Sequence, residues 1–117
     1  MLAIDPDATY NYIVPEQRKD PRDKQVTWHL RPLSIRDEAE LSALEGHAAG
    51  IRALEMGLRG WDGFKNSQGL EATFERNEKG EPTHKTLARI SVKVRIQLAN
   101  AILRSLYLEE SEVEKPE

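Results

Sequence analysis

Residues 25–31 alternate between apolar and polar side chains, and this alternation constrains the fold more than any other feature of the chain. Val26, Trp28 and Leu30 lie on one side of an extended backbone, with polar residues between them. A period of two predicts a half-buried β-strand. Residues 9–14 are rich in aromatic and β-branched types and predict a second strand, paired with the first as an antiparallel hairpin. Because such a hairpin is marginal alone, its apolar face needs a helix, and we expect an α+β fold.

A helix is predicted after the second of these strands. Ser34 is a natural N-cap residue, and Asp37 is a weak version of the capping-box partner. An apolar stripe at spacings of three and four follows, formed by Leu41, Leu44, Ala48, Ile51, Leu54 and Leu58. Gly46 and Gly50 interrupt the stripe, and each costs about 1 kcal/mol relative to Ala in a helix. The helix could break near Gly46, but we favour one helix with a weak point there.

The segment GLRGWDGF, residues 57–64, combines glycines with aromatic side chains. Gly57 and Gly60 are expected to end the helix, since glycine is preferred in the left-handed turn at a helix C-terminus. Trp61 and Phe64 follow, either as plugs of the core or as anchors of a binding patch, and both roles can hold together. A phosphate loop is disfavoured, because these glycines follow a helix, whereas a phosphate-binding loop precedes one.

The region between this segment and the last helix is less regular. Residues 70–75 could form a short strand and residues 77–80 a turn, which predicts an extra short strand or hairpin around 70–82. Residues 86–90 are interpreted as a short helical turn. Ser91 can cap a final helix that runs through Tyr107.

The final helix carries an apolar stripe wide enough to indicate burial on two sides, or burial plus a partner. Its members are Val92, Val94, Ile96, Leu98, Ala99, Ala101, Ile102, Leu103 and Leu106. All five charged residues between His84 and Tyr107 are basic, whereas residues 108–117 contain five Glu and one Lys. These charges could serve solubility alone, or the basic helix could engage an acidic partner with the acidic end competing for it. We expect one domain over residues 1–108 and a disordered acidic tail over residues 109–117.

Composition excludes several classes of protein. The hydrophobic content of 38% is low and the charged content of 32% is high, so the core is thin and self-association or a partner is favoured. A net charge of −3 argues against a general nucleic-acid binder. No apolar run approaches the roughly 18 residues that span a membrane, and the first residues lack a signal-peptide pattern, so a cytoplasmic location is expected.

No motif for catalysis or metal binding stands out. The chain has no cysteine, and His29, His47 and His84 are far apart without ligand spacing. No serine lies in a GxSxG context, so the nucleophile of a hydrolase is not indicated. We therefore expect no cofactor and no enzyme activity, although distant carboxylates could converge in the fold.

Three motifs carry a resemblance to a known family: VTWHLRPL at residues 26–33, GLRGWDGFK at 57–65 and VRIQLANAIL at 94–103. With the Glu-rich end, they resemble small tail-module proteins of siphovirus-type phages, often labelled tail assembly chaperones. The likeness covers residues 25–112 and is weakest over residues 71–86. Family members tend to have prolines before the last helix, where this chain has Ile90 and Ser91.

The resemblance implies a non-enzymatic protein that binds the phage tail tube or tape measure protein in the host cytoplasm during virion assembly. The candidate protein-binding residues are Trp61, Phe64, Lys93, Arg95, Leu103, Arg104 and Leu106. One alternative is a head–tail component retained in the virion. Another is a small regulator or inhibitor that binds a host protein or nucleic acid through the basic final helix.

Overall fold

The computed structural model describes the backbone of residues 9–114 and the side chains of residues 9–104. Within these residues a three-stranded antiparallel sheet has the order β1-β2-β3, with β1 at Tyr10–Tyr12, β2 at Thr27–Leu30 and β3 at Leu58–Asp62. The helices are α1 at Ile35–Ser42, α2 at Gly46–Gly57, α3 at His84–Ala88 and α4 at Val92–Glu114. The predicted α+β class is confirmed.

The predicted hairpin is present, because β1 and β2 pair antiparallel with Tyr12 opposite Trp28. Trp28 and Leu30 are 2% and 0% exposed, so the alternating residues do point into the core as their period predicts. The third strand was not predicted. β3 pairs with the other edge of β2, where Trp28 lies opposite Trp61. The register shifts between His29 and Leu30, and this irregularity breaks the alternation that would have marked β3 as a strand.

The expectation of one continuous helix after β2 is wrong, because α1 ends at Ser42 and α2 begins at Gly46. Gly46 has a φ of 58°, a left-handed conformation that glycine adopts without steric cost. The predicted start is confirmed as a full capping box, in which Ser34 Oγ accepts from the Asp37 N–H at 3.1 Å and Asp37 Oδ2 accepts from the Ser34 N–H at 3.0 Å. The break also divides the predicted stripe, because Leu41 lies in α1 and Leu54 in α2. Both of these residues are buried, whereas Ile51 of the same stripe is exposed.

The end of α2 is where the sequence analysis expected it, but for a different physical reason. Gly57 is the last helical residue, yet it is not among the glycines with positive φ, and Gly60 lies inside β3. A Cβ atom at Gly57 would lie 2.6 Å from Cγ2 of Ile102. The predicted left-handed glycine stop is therefore wrong, and Gly57 instead lets α2 approach α4 closely.

Between β3 and α3 the chain forms turns and two isolated bridges, Lys65 with Glu71 and Arg76 with Pro82. The short strand considered at residues 70–75 is not formed, but the Arg76–Pro82 bridge spans the 77–80 turn as a minimal form of the hairpin considered around 70–82. The predicted turn at 77–80 is present, and it closes through the Asn77 N–H donating to the Glu81 carbonyl at 2.8 Å. The buried Thr86 hydroxyl holds this region against α3, because it donates to the Glu75 carbonyl at 2.9 Å.

The predicted cap of the final helix, Ser91, is confirmed, whereas the cap of α3 was not predicted. The Val94 N–H donates to Ser91 Oγ at 3.3 Å at the start of α4. Thr83 caps α3 through the Thr86 N–H, so the predicted short helix begins two residues earlier than expected. The backbone of α4 is helical to Glu114, past the expected end at Tyr107, and so overlaps the acidic segment over residues 109–114. Residues 115–117 lie outside the described part of the chain, and the disorder of the tail stays a prediction.

Candidate functional site

The aromatic side chains of residues 57–64 belong to the core. Trp61 is 6% exposed, its Nε1 donates to the Ala72 carbonyl at 2.9 Å, and its ring meets that of Trp28 edge-on at 5.8 Å between centroids. Phe64 and Phe74 each lie 4.9 Å from the Trp61 ring, and both are partly buried. Edge-to-face contacts at these distances stabilise packing beyond the burial of area. The core role predicted for Trp61 is therefore the one its position supports, and it is not a surface anchor.

An open groove of about 460 Å³ lies between α2 and α4. Its wall is mostly apolar, with Ile51, Leu54, Val92, Ile96, Ala99 and Leu103 among the lining residues. On the α2 side the groove is open at Gly50, which has no side chain. No atom lies within 4 Å of the position that a Cβ would occupy there. The groove can therefore receive bulky apolar side chains from outside the chain.

Exposed apolar side chains concentrate at this groove. Among the residues whose side chains are described, five large apolar ones are exposed: Ile35, Ile51, Leu70, Val92 and Ile96. Three of the five line the groove, where Val92 is 55%, Ile96 51% and Ile51 39% exposed. Single exposed apolar residues are ordinary, but a contiguous apolar patch in a concave site is typical of a binding surface. The wide stripe of α4 indicated this second face, but the partner wall from α2 could not be identified from the sequence.

Arg95 is the charged residue of the α4 wall. Its side chain is partly buried, and its Nε atom is buried without a hydrogen-bond acceptor among the residues that the structure describes. A buried donor left unpaired costs about 1–3 kcal/mol. Asn100 also lines the groove, on the same helix. The groove thus has an apolar floor with polar groups at its flanks.

Most of the other predicted site residues lie away from the groove. Leu103 does line it, but Lys93 approaches Glu16 Oε2 at 3.7 Å, away from the groove. A hydrogen bond from Gln97 and the charge of Lys93 lower the pKa of the Glu16 carboxyl. Arg104 lies about three helical turns from Lys93 and so shares its face of α4. The side chain of Leu106 lies outside the described part of the chain.

The candidate residues therefore fall into three places. Trp61 is in the core and the partly buried Phe64 packs against it. Arg95 and Leu103 are at the groove, and Lys93 and Arg104 share another face of α4.

Ion pairs of Arg52 hold the α2 wall of the groove, and no pattern in the sequence indicated them. Arg52 of α2 contacts three carboxylates, at 2.5 Å from Glu40, 3.0 Å from Glu81 and 3.3 Å from Glu55. The hydrogen bond to Glu40 is the main cause that raises the pKa of the Arg52 guanidinium. Because Glu40 belongs to α1 and Glu81 follows the 77–80 turn, one side chain ties three segments together.

Among the described residues no group of three His, Asp or Glu side chains is placed to hold a metal ion. Over the same residues, no helix has both the length and the apolar character that crossing a bilayer requires.

Comparison with known proteins adds no relative. No family model, curated protein or solved structure matches this chain.

Proposed function

We propose that this chain is a non-enzymatic binding protein that holds an apolar, helical segment of a phage tail component in the groove between α2 and α4. The observation that carries the proposal is the convergence of Ile51, Val92 and Ile96, three exposed apolar side chains, on one concave site. Of the five large apolar side chains that are exposed among the described residues, the remaining two, Ile35 and Leu70, lie outside the groove.

Burial of these side chains supplies the driving force for binding. Full burial of a Val or Ile side chain is worth about 1.5–3 kcal/mol, so a half-exposed one still has roughly 1 kcal/mol to gain. Val92, Ile96 and Ile51 together could therefore contribute a few kcal/mol toward covering an apolar strip on a partner. Covering such a strip is what an assembly chaperone does for a partner that would otherwise polymerise early.

The choice of a tail component as partner rests on the resemblance. One of the three motifs that carry it, VRIQLANAIL at residues 94–103, contains every α4 residue that lines the groove except Val92. The tail tube and tape measure proteins are the partners that the resemblance implies. The groove is a surface on which one of them could dock, and this supports a binding role during tail assembly.

A pair of isoleucine variants tests the proposal. Ile96→Gln removes an apolar side chain from the groove, while Ile35→Gln changes another exposed helical isoleucine that does not line it. Both variants should fold normally, because both side chains are exposed in the wild type. The tagged chains would be purified from cells that produce the encoding phage, and retained tail tube or tape measure protein would be quantified by mass spectrometry.

We expect the wild type and Ile35→Gln to retain a tail protein and Ile96→Gln to lose most of it. Retention of neither tail protein by the wild type would refute the tail-assembly role. Equal retention by Ile96→Gln would refute the groove as the docking site.

A further inference from the structure

Within the described part of the chain, the Arg95 side chain has a hydrogen-bond donor without an acceptor at the edge of the groove. Its Nε is buried without an acceptor among the described residues, whereas Arg31 lies 2.8 Å from Asp37 and Arg89 lies 3.7 Å from Glu75. Arg95 also lies in the first turns of α4, near the positive end of the helix dipole, where a cation is disfavoured. Both features destabilise the free chain, and an anion bound beside the guanidinium would directly offset the unfavourable position of its charge.

The charges around the groove favour an anion there. Among the described residues that line it, none is Asp or Glu. The charged side chains of α4 that are described are Lys93, Arg95 and Arg104, all basic. A positive potential at a binding surface selects partners of opposite charge and repels basic ones.

The spacing along α4 defines the shape of the ligand. Val92, Ile96, Ala99 and Leu103 line the groove at intervals of four, three and four, which is the spacing of the apolar seam in a helix pair. Arg95 comes directly before Ile96 and Asn100 directly after Ala99. These are the positions that flank the seam, where interhelical salt bridges set the choice of partner.

We propose that the segment bound in the groove is an amphipathic helix with a Glu or Asp beside its apolar seam, and that this carboxylate pairs with Arg95. The proposal rests on the groove of the proposed function but not on the partner being a tail protein. Arg95 is thus a specificity determinant: the seam supplies apolar contact to many helices, and the guanidinium selects those that present an acidic flank.

A displayed library of helical peptides tests this directly. The peptides would carry Leu at seam positions and randomised residues at the flanks, and would be selected against the wild-type chain and Arg95→Glu. We expect the wild type to enrich Glu or Asp at one flanking position. We expect Arg95→Glu to enrich Lys or Arg at that same position. Absence of an acidic preference with the wild type, or of any binder, would overturn the proposal.

One enriched peptide and its Glu→Gln form would then be titrated by calorimetry against the wild type, Arg95→Gln and the control Arg104→Gln, which changes another face of α4. We expect the Glu→Gln change to weaken binding about tenfold for the wild type and Arg104→Gln, and to have no effect for Arg95→Gln. Equal discrimination by Arg95→Gln would overturn the pairing. Circular dichroism would check that each variant is folded.

The two proposals fail separately. If a tail protein is retained equally by the wild type and Arg95→Gln, the tail role stands and the carboxylate pairing falls. If acidic peptides bind through Arg95 but no tail protein is retained, the pairing stands and the tail role falls. A second copy of this chain is the other molecule that could occupy the groove, and sedimentation of the chain alone tests for it. A dimer that Arg95→Gln converts to a monomer would show that a second copy fills the groove, and would refute a separate partner.

Discussion

Replacement of Gly57 by Ala tests how closely α2 and α4 pack. A Cβ atom at this position would lie 2.6, 2.8 and 2.9 Å from three side-chain carbons of Ile102, which is itself fully buried. Overpacking of this kind typically costs about 1–3 kcal/mol, because the neighbours must leave their rotamers or the backbone must shift. A Gly→Ala change also reduces the conformational entropy of the unfolded chain, which stabilises the folded state by about 0.4–1 kcal/mol. We therefore expect a net destabilisation of about 1–2 kcal/mol.

Urea unfolding followed by tryptophan fluorescence and circular dichroism measures this change. The matched control is Gly50→Ala on the same helix, where no atom lies within 4 Å of the added Cβ. The free energy of unfolding of this control should rise by up to about 1 kcal/mol, because Ala has a higher helix propensity than Gly. The two substitutions are chemically identical, so opposite signs would isolate the contact with Ile102.

The double variant Gly57→Ala with Ile102→Ala completes the test. Ile102→Ala alone should cost about 2–5 kcal/mol, because it leaves a cavity. In the double variant the new Cβ partly occupies that cavity, so the combined loss should be smaller than the sum of the single losses by about 1 kcal/mol or more. Strict additivity, or a Gly57→Ala chain as stable as the wild type, would refute close packing as the reason for this glycine.

Two further predictions concern the core and the first helix. Trp61→Ala should lower the free energy of unfolding by about 3–5 kcal/mol, and an unchanged urea midpoint would contradict its core position. Burial raises the pKa of the Asp37 carboxyl, but hydrogen bonds from Ser34 and Arg31 outweigh it and hold that pKa below its ordinary value. Because the folded-state pKa is depressed, the stabilisation is present above the unfolded pKa of about 3.9 and is lost as pH falls through the folded value. Asp37→Asn should remove this part of the loss of stability at acid pH, as measured by the free energy of unfolding as a function of pH. If the curves of the wild type and Asp37→Asn run parallel below pH 4, Asp37 is not the source of that loss.

Local rules predicted the elements whose signals lie within a few consecutive residues. The alternation around Trp28 identified β2 and its buried face, and Ser34 and Ser91 marked the starts of α1 and α4. These signals are reliable because caps and strand periodicity are set by neighbours in the chain.

Predictions failed where distant residues decided the outcome. β3 forms because its backbone pairs with β2. The register shift between the two strands interrupts the apolar–polar alternation by which a strand is identified from sequence. Gly57 looked like a helix stop, yet its smallness serves a contact with Ile102, which lies in a different helix. The Arg52 cluster joins Glu40 and Glu81, which no sequence spacing relates. The groove was also only partly predictable. The wide apolar stripe of α4 indicated one wall from the sequence, but nothing in the sequence indicated that α2 would form the other.

The sequence by itself determined a half-buried hairpin, a capped helix after it and a final helix with more apolar surface than one face can bury. Only the tertiary structure decided where that surplus lies. Packing α2 against α4 through Gly57 buries Leu98 and Ile102 but leaves Val92 and Ile96 exposed beside Arg95. The physical reason is that side-chain burial depends on which elements meet. Periodicity along one helix shows that an apolar face exists, and the neighbouring helix determines whether that face is filled or left open.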